Sequence, residues 1–172
     1  FTAAHLRSRE VANGRIKGVH YLMKKNGITE FEGSGHFVDA NNITVTQKDG
    51  SALASIRFEN AIIATGSVIR VLPGIELGKR ITGYQEVVLA EEMPKSLIVV
   101  GAGPIGIEFA CVAASFGSQV TVVEYQSRIL PLEDEDTSAE MAKALKKLGI
   151  AIVTGANVLS ASEDSASARV AY

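Results

Sequence analysis

The stretch with the clearest chemical spacing is SLIVVGAGPIGIEFACVAASFGSQVTVVE, Ser96 to Glu124. It contains Gly101-x-Gly103-x-x-Gly106. Each glycine has a separate physical task. Gly101 permits a tight turn out of a strand, Gly103 leaves the backbone bare for a pyrophosphate, and Gly106 lets the following helix pack close to the strand. Pro104 falls in the first helical turn, where a missing N–H costs nothing. The free N–H groups and the dipole of that helix start attract phosphate. Glu124 lies 23 positions after Gly101, close to the separation of ~20 at which an acidic residue meets an adenosine ribose. Its carboxylate can accept hydrogen bonds from both ribose hydroxyls and would repel a 2′-phosphate. Tyr125, Gln126 and Ser127 follow it, with no arginine among them. The expectation is therefore NAD in preference to NADP. The plainer reading makes these ordinary turn glycines and Glu124 a solvated strand end. A preceding apolar strand, a following helix, a second strand and an acid at its end argue against that reading together.

Glu108 stands among Ile105, Ile107, Phe109, Ala110 and Val112. A carboxylate there either favours the helix start electrostatically or faces a cofactor, and the pattern alone leaves both open. Cys111, in the same apolar helix, reads as a small buried hydrophobe, since a reactive thiol needs an electropositive, accessible setting. His5, His20 and His36 are scattered over different elements without metal-ligand spacing. The acidic run Leu132–Glu140 suits a solvated helix start better than a metal site.

The elements that must hold these residues read as two halves. Apolar positions at Ala12, Ile16, Val19 and Met23 predict a helix over 12–26, with Gly27 as its stop. Short β-rich runs follow at Ile28–Glu32, His36–Val38, Ile43–Gln47 and Ala54–Phe58, separated by the turn signals Asn41-Asn42 and Asp49-Gly50. They predict a small antiparallel meander. Ala61–Ser67 predicts an apolar strand running into a glycine turn, and 68–95 a connector with a short helix at Tyr84–Glu92. The second half predicts β-α-β-α-β: Leu97–Val100, Pro104–Phe116, Gln119–Val123, Thr137–Leu148 and Ile150–Val153. Met141, Leu145 and Leu148 share a face of its second helix, Thr137-x-x-Glu140 predicts a capping box, and Gly149 a C-terminal cap. Ser160–Ala168 predicts a hairpin or loop. The fold class is thus α/β, a Rossmann-like FAD/NAD(P)-binding fold with a parallel sheet, crossover helices and an antiparallel β-meander.

Composition excludes other classes. A chain of 172 residues, 47% hydrophobic and 21% charged, suits a folded globular protein of one domain or parts of two. A net charge of −2 gives no basic surface for nucleic acid or anionic lipid, and no apolar run reaches the ~18 residues of a membrane span. The one cysteine rules out an internal disulfide and fits a reducing compartment, so a cytoplasmic protein is expected. The start at Phe1 and the end within a strand-like ARVAY give the expectation of a fragment.

The segments GAGPIGIEFA and VTVVEYQSRILP resemble the NAD-binding domain of the dihydrolipoamide dehydrogenases, flavin-dependent pyridine nucleotide-disulfide oxidoreductases. FENAIIATGS resembles the strand and turn that close the first part of their FAD domain, GSGHF the meander segment beside the FAD adenine, and RILPLEDEDTSAEMAKALKKLGI follows the same pattern. The resemblance covers nearly the whole chain. It implies a partial FAD-binding domain over residues 1–80 and a truncated NAD-binding domain over 81–172. It assigns Gly101, Ala102, Gly103, Pro104, Ile105, Gly106, Ile107 and Glu108 to the pyrophosphate and nicotinamide side of NAD, Glu124 to the adenosine ribose and Val158 to the adenine. Gly35, Thr65, Gly66 and Ser67 match FAD contacts. Glu108 matches a glutamate near nicotinamide and flavin, which favours its functional reading. The family's first FAD glycine fingerprint and its Cys-x-x-x-x-Cys redox pair would precede Phe1, and its catalytic His and Glu would lie downstream. The intact enzyme would be a homodimer that oxidises dihydrolipoamide carried on 2-oxo acid dehydrogenase complexes, passes electrons through its disulfide and FAD, and reduces NAD⁺. The chain alone is expected to be inactive. A mercuric or glutathione reductase-like protein, a soluble transhydrogenase, or a non-catalytic NAD-binding module are the alternatives.

Overall fold

The structure is a computed structural model that describes all 172 residues. Its contacts divide the chain into two units. One comprises Arg7–Val68; the other comprises Ile69–Tyr172 together with Phe1–Leu6.

The chain opens with α1 (Thr2–Lys25), none of whose side chains is buried. The helix starts well before residue 12 because its first turns carry no Pro and nothing else that opposes helix. It ends where expected: Gly27 adopts a φ of 67°, and the Ile28 and Gly27 N–H groups donate back to the Met23 and Lys24 carbonyls. That arrangement corrects the expected strand at Ile28–Glu32. Ile28 is consumed by the helix end, and Glu30 turns back to bond His20 Nδ1 at 2.9 Å, so the segment forms no ladder.

Three strands make the meander in the order β1-β2-β3: β1 (Ser34–Asp39), β2 (Asn42–Thr46) and β3 (Ala52–Arg57), all antiparallel. The Asp39 carboxylate caps the first turn by accepting from the Asn41 N–H and Asn42 Nδ2, and Asp49 does the same for Ser51 in the second. Val45 is the buried residue of this sheet. Ala61–Ser67 is not a strand, contrary to its apolar pattern. A strand needs a hydrogen-bonded neighbour, residues 61–67 make no ladder bonds, and Ile62 is 94% exposed.

In the other unit, α2 (Tyr84–Leu89) is followed by β4 (Ser96–Val100), α3 (Pro104–Ser115), β5 (Gln119–Val123), α4 (Glu135–Lys147) and β6 (Ala151–Val153). The strands form a parallel sheet in the order β4-β5-β6. A hairpin of β7 (Ser160–Glu163) and β8 (Ala168–Ala171) completes the unit, so Ser160–Ala168 is hairpin and not loop. The core lies between the sheet and its helices. Ile107, Ala110 and Ala113 recur at helical spacing on α3, Val120 and Val122 at strand spacing on β5, and Leu145 projects from α4. Each such larger aliphatic side chain contributes about 1.5–3 kcal/mol by leaving water.

Both long helices of this unit end in the same double hydrogen bond. Ser118 and Gly117 donate to the Ala113 and Ala114 carbonyls, and Ile150 and Gly149 to Leu145 and Lys146. The start of α4 differs from expectation. Its N-cap is Asp134, so Thr137 lies inside the helix and Thr137-x-x-Glu140 is no capping box. Asp134, Glu135 and Asp136 place three carboxylates at the positive end of the dipole, which explains the earlier start. Leu148 becomes the C-cap residue and is half exposed.

Candidate functional site

The parallel register places Val100 level with Val123, and Val123 level with Val153. The residues that follow, Gly101, Glu124 and Thr154, therefore leave the sheet side by side at the carboxyl ends of the strands. In open α/β sheets that edge is where ligands sit. The Gly101 N–H donates to the Val123 carbonyl at 2.8 Å and the Glu124 N–H to the Val153 carbonyl at 2.8 Å, so the strands stay tied to their last residue.

The three glycines behave differently. Gly101 takes a φ of 99°, a conformation that reverses the chain from strand to helix and that side chains oppose. A Cβ on Gly106 would collide with the Gly101 carbonyl oxygen and press on Val99 at 3.2 Å. A Cβ on Gly103 would meet no atom within 4 Å. It would project into the open space ahead of α3. The N–H groups of Gly103, Ile105 and Gly106 take no protein acceptor, as a helix start provides.

Glu124 is 7% exposed. Its Oε2 accepts from the Ala102 N–H at 2.6 Å and its Oε1 from the Gln126 N–H at 2.8 Å. The carboxylate is thus fixed against the glycine turn, and each oxygen keeps a lone pair for a further donor. Ala102 is buried and held at both ends, since its carbonyl accepts from the Leu130 N–H at 2.8 Å. The Ala156 N–H donates to the Glu124 carbonyl at 3.0 Å, which brings the stretch after β6 to the same edge; Val158, half-buried, lies two residues on. Pro104, Ile105, Gly106, Ile107 and Glu108 form the first turns of α3. Ile107 points into the core, whereas Ile105 and Glu108 are exposed, and Glu108 makes no hydrogen bond or ion pair. Burial pushes the Cys111 thiol up, as for an inert cysteine.

The other expected contacts lie in the meander unit. Gly35 sits in β1 opposite Val45. Thr65, Gly66 and Ser67 are exposed in the unpaired segment after β3 and make no hydrogen bonds.

Two residues of the site escaped the sequence reading. Leu130 is the one non-glycine residue with a positive φ, 44°, at a cost of about 1–2 kcal/mol. Ser138 is buried and donates from Oγ to the Ile129 carbonyl at 2.6 Å. Arg128 braces the same loop by donating to the Pro131 and Glu133 carbonyls and pairing with Glu135 at 2.8 Å.

The family description "pyridine nucleotide-disulphide oxidoreductase" matches residues 2–171. The chain belongs to this family. Members of the family use FAD and NAD. Among its relatives, the dihydrolipoyl dehydrogenase of Mycobacterium tuberculosis is 51% identical over 155 residues, which cover 90% of this chain and 33% of the relative. That of Bacillus subtilis is 41% identical over 167 residues, 92% of this chain and 35% of the relative. These relatives are oxidoreductases, and the chain spans about a third of their length. In solved structures, the HOCl-induced flavoprotein disulfide reductase RclA of Escherichia coli, as its Cu(II) complex, is 31% identical with a TM-score of 0.88, covering 100% of this chain and 39% of the other. LpdA of Mycobacterium tuberculosis is 26% identical with a TM-score of 0.89, covering 98% and 38%. The resemblance drawn from the motifs and the α/β nucleotide-binding fold both stand.

Proposed function

We propose that the chain is the nucleotide-binding portion of a dihydrolipoyl dehydrogenase, with residues 1–80 part of an FAD-binding domain and 81–172 part of an NAD-binding domain. The observation that carries the NAD assignment is the pairing of bare backbone at Gly103 with a fixed, buried carboxylate at Glu124 on one sheet edge. These residues fit a dinucleotide. The Gly103, Ile105 and Gly106 N–H groups would hold the pyrophosphate and Glu124 the adenosine ribose, with Val158 beside the adenine. Glu108, exposed one turn into α3, would face the nicotinamide and flavin side. Glu124 rejects a 2′-phosphate by charge, which makes the nucleotide NAD. When bound, NAD⁺ supplies a hydride acceptor. The protein's part here is to bind, orient and discriminate.

Gly35, Thr65, Gly66 and Ser67 are assigned to FAD by family resemblance. The whole enzyme would oxidise dihydrolipoamide carried on a 2-oxo acid dehydrogenase complex, through a disulfide and FAD, as a cytoplasmic homodimer. With one cysteine, Cys111, these 172 residues do not hold that disulfide. No helix is long and apolar enough to cross a membrane. A second reading, another disulfide reductase of the family, is favoured by the similarity to RclA.

Calorimetric titration with NADH and NADPH tests the nucleotide assignment. NADH is expected to bind more tightly, and Glu124→Ala to reduce that preference. Tighter NADPH binding by the unsubstituted chain overturns it.

A further inference from the structure

Two peptide groups stand in series between α4 and the glycine turn. Ser138 Oγ–H donates to the Ile129 carbonyl at 2.6 Å. The N–H of that same peptide unit belongs to Leu130, and it donates to the Ala102 carbonyl at 2.8 Å. The N–H at the other end of the Ala102 peptide belongs to Gly103. No peptide bond in the chain is cis, so in each planar unit the N–H points opposite to the C=O. The Leu130 hydrogen bond therefore fixes the direction of the Gly103 N–H. It points away from Leu130, and it takes no protein acceptor.

We propose that Ser138 is a positioning residue for dinucleotide binding, acting through the Ile129–Leu130 and Ala102–Gly103 peptides to aim and polarise the Gly103 N–H. The proposal rests on the reading of the glycine turn as the NAD pyrophosphate site. Three observations support a built device. Ser138 is 3% exposed, so its hydroxyl has been taken out of water to make this bond. Leu130 is held at a φ of 44°, a strained conformation for a branched side chain, while its N–H stays bonded to the Ala102 carbonyl. The Ala102 N–H is fixed independently by Glu124 Oε2, so both peptide planes of this residue are set. Hydrogen bonds in a chain polarise one another, by about 10–30% per bond. A donor at Ser138 thus makes Gly103 a better donor to a phosphate oxygen.

The test compares the unsubstituted chain with Ser138→Ala by ¹⁵N-resolved NMR and by calorimetric titration with NADH. The ¹⁵N signal of Gly103 and the amide proton of Leu130 are expected to move upfield. The dissociation constant is expected to rise about three- to tenfold, because a Gly103 N–H no longer held in direction forfeits its own bond to the pyrophosphate, worth about 0.5–1.5 kcal/mol. A purely structural serine would lower the melting temperature without moving the Gly103 signal selectively. Unmoved Gly103 and Leu130 signals, or a dissociation constant within about twofold of the unsubstituted chain, overturn the relay. Failure of the unsubstituted chain to bind NADH overturns the nucleotide reading itself, a result distinct from normal binding that Ser138→Ala leaves unchanged. Should Ser138→Ala not fold, Ser138→Cys, a weak donor of similar volume, is read in the same way. The unsubstituted chain must also show a through-bond coupling between the Leu130 nitrogen and the Ala102 carbonyl carbon, and its absence refutes the proposal.

Discussion

Gly103 and Gly106 are three residues apart, and the same substitution should have opposite consequences at each. Helix preference alone favours alanine at Gly106 by about 0.5–1 kcal/mol, since it sits in the first turn of α3. Against this, the added Cβ would run into the Gly101 carbonyl oxygen and crowd Val99. That oxygen is backbone in a tight turn anchored by the Gly101 N–H to Val123 at 2.8 Å, so it cannot swing aside as a side chain would. Overpacking of this kind costs about 1–3 kcal/mol. The collision should win, leaving Gly106→Ala less stable by about 1–2 kcal/mol. At ~2–4 °C per kcal/mol for a chain of this size, the melting temperature should fall by roughly 2–8 °C. Gly103 is the reverse case. Its φ of −71° and ψ of 176° suit alanine, and the new methyl meets nothing within 4 Å. Loss of unfolded-state entropy favours Gly103→Ala by about 0.4–1 kcal/mol, and the weaker preference of alanine at this N-cap offsets about as much, so its stability should change little. The methyl would stand where a phosphate must approach, so NADH affinity should fall at least about tenfold, the equivalent of ~1.4 kcal/mol. Scanning calorimetry and NADH titration of both variants decide the matter. An unchanged melting temperature for Gly106→Ala, or unchanged NADH binding by Gly103→Ala, would refute the division of labour among the glycines.

Two further outcomes concern ionisable groups outside the turn. Glu163 accepts from the Arg80, Ile81 and Lys79 N–H groups at 2.7, 2.8 and 2.9 Å, and these bonds, Arg80 first, hold its carboxyl below the usual range. Its contribution is therefore present above the ordinary carboxylate pKa and lost as pH falls through the lowered one. Glu163→Gln should speed hydrogen exchange at residues 79–81 at neutral pH, with the difference closing in strong acid; equal exchange at neutral pH would contradict the anchor. His20 is raised by its hydrogen bond to Glu30, then by the charges of Glu30 and Glu32. That pairing stabilises fully below the ordinary histidine pKa and fades as pH rises through the raised value. An NMR titration should show His20 returning toward its ordinary value in Glu30→Gln, and an unchanged midpoint would exclude the pair.

The sheet and helices around the turn were legible because their signals are local and agree. β5 runs from Gln119 to Val123 as its alternation predicts, and Pro104 and Gly149 mark a helix start and a helix end. The misreadings occurred where a neighbour, and not the segment itself, decides the state. Ile28–Glu32 and Ala61–Ser67 have strand composition, but β-propensity expresses packing against a partner. The first is drawn into the end of α1 and the pairing with His20, and the second has no adjacent strand. Thr137 was misplaced for another reason. Ser/Thr followed by Glu three residues later fits a capping box, but the carboxylates before it extend the helix to an Asp134 cap.

At the site, sequence spacing foretold which residues meet but not how they are held. Gly101 to Gly106 and Glu124 come together because a β-α-β unit in parallel register brings the ends of its two strands level. The direction of the Glu124 carboxylate, turned onto the Ala102 and Gln126 N–H groups, depends on three-dimensional closeness that no spacing encodes. Leu130 was hidden more deeply. A residue before proline is expected to be extended, and Leu130 precedes Pro131 yet adopts a left-handed φ. The local rule is overridden by three restraints on the same loop: the buried Ser138 hydroxyl on Ile129, the Arg128 bonds to Pro131 and Glu133, and the Ala102 carbonyl waiting for the Leu130 N–H. A conformation that opposes its own local preference persists only when its surroundings over-determine it. Here those surroundings lead to the glycine turn, whose Gly103 N–H is left without a protein acceptor, so the strain at Leu130 is the cost of keeping that turn rigid.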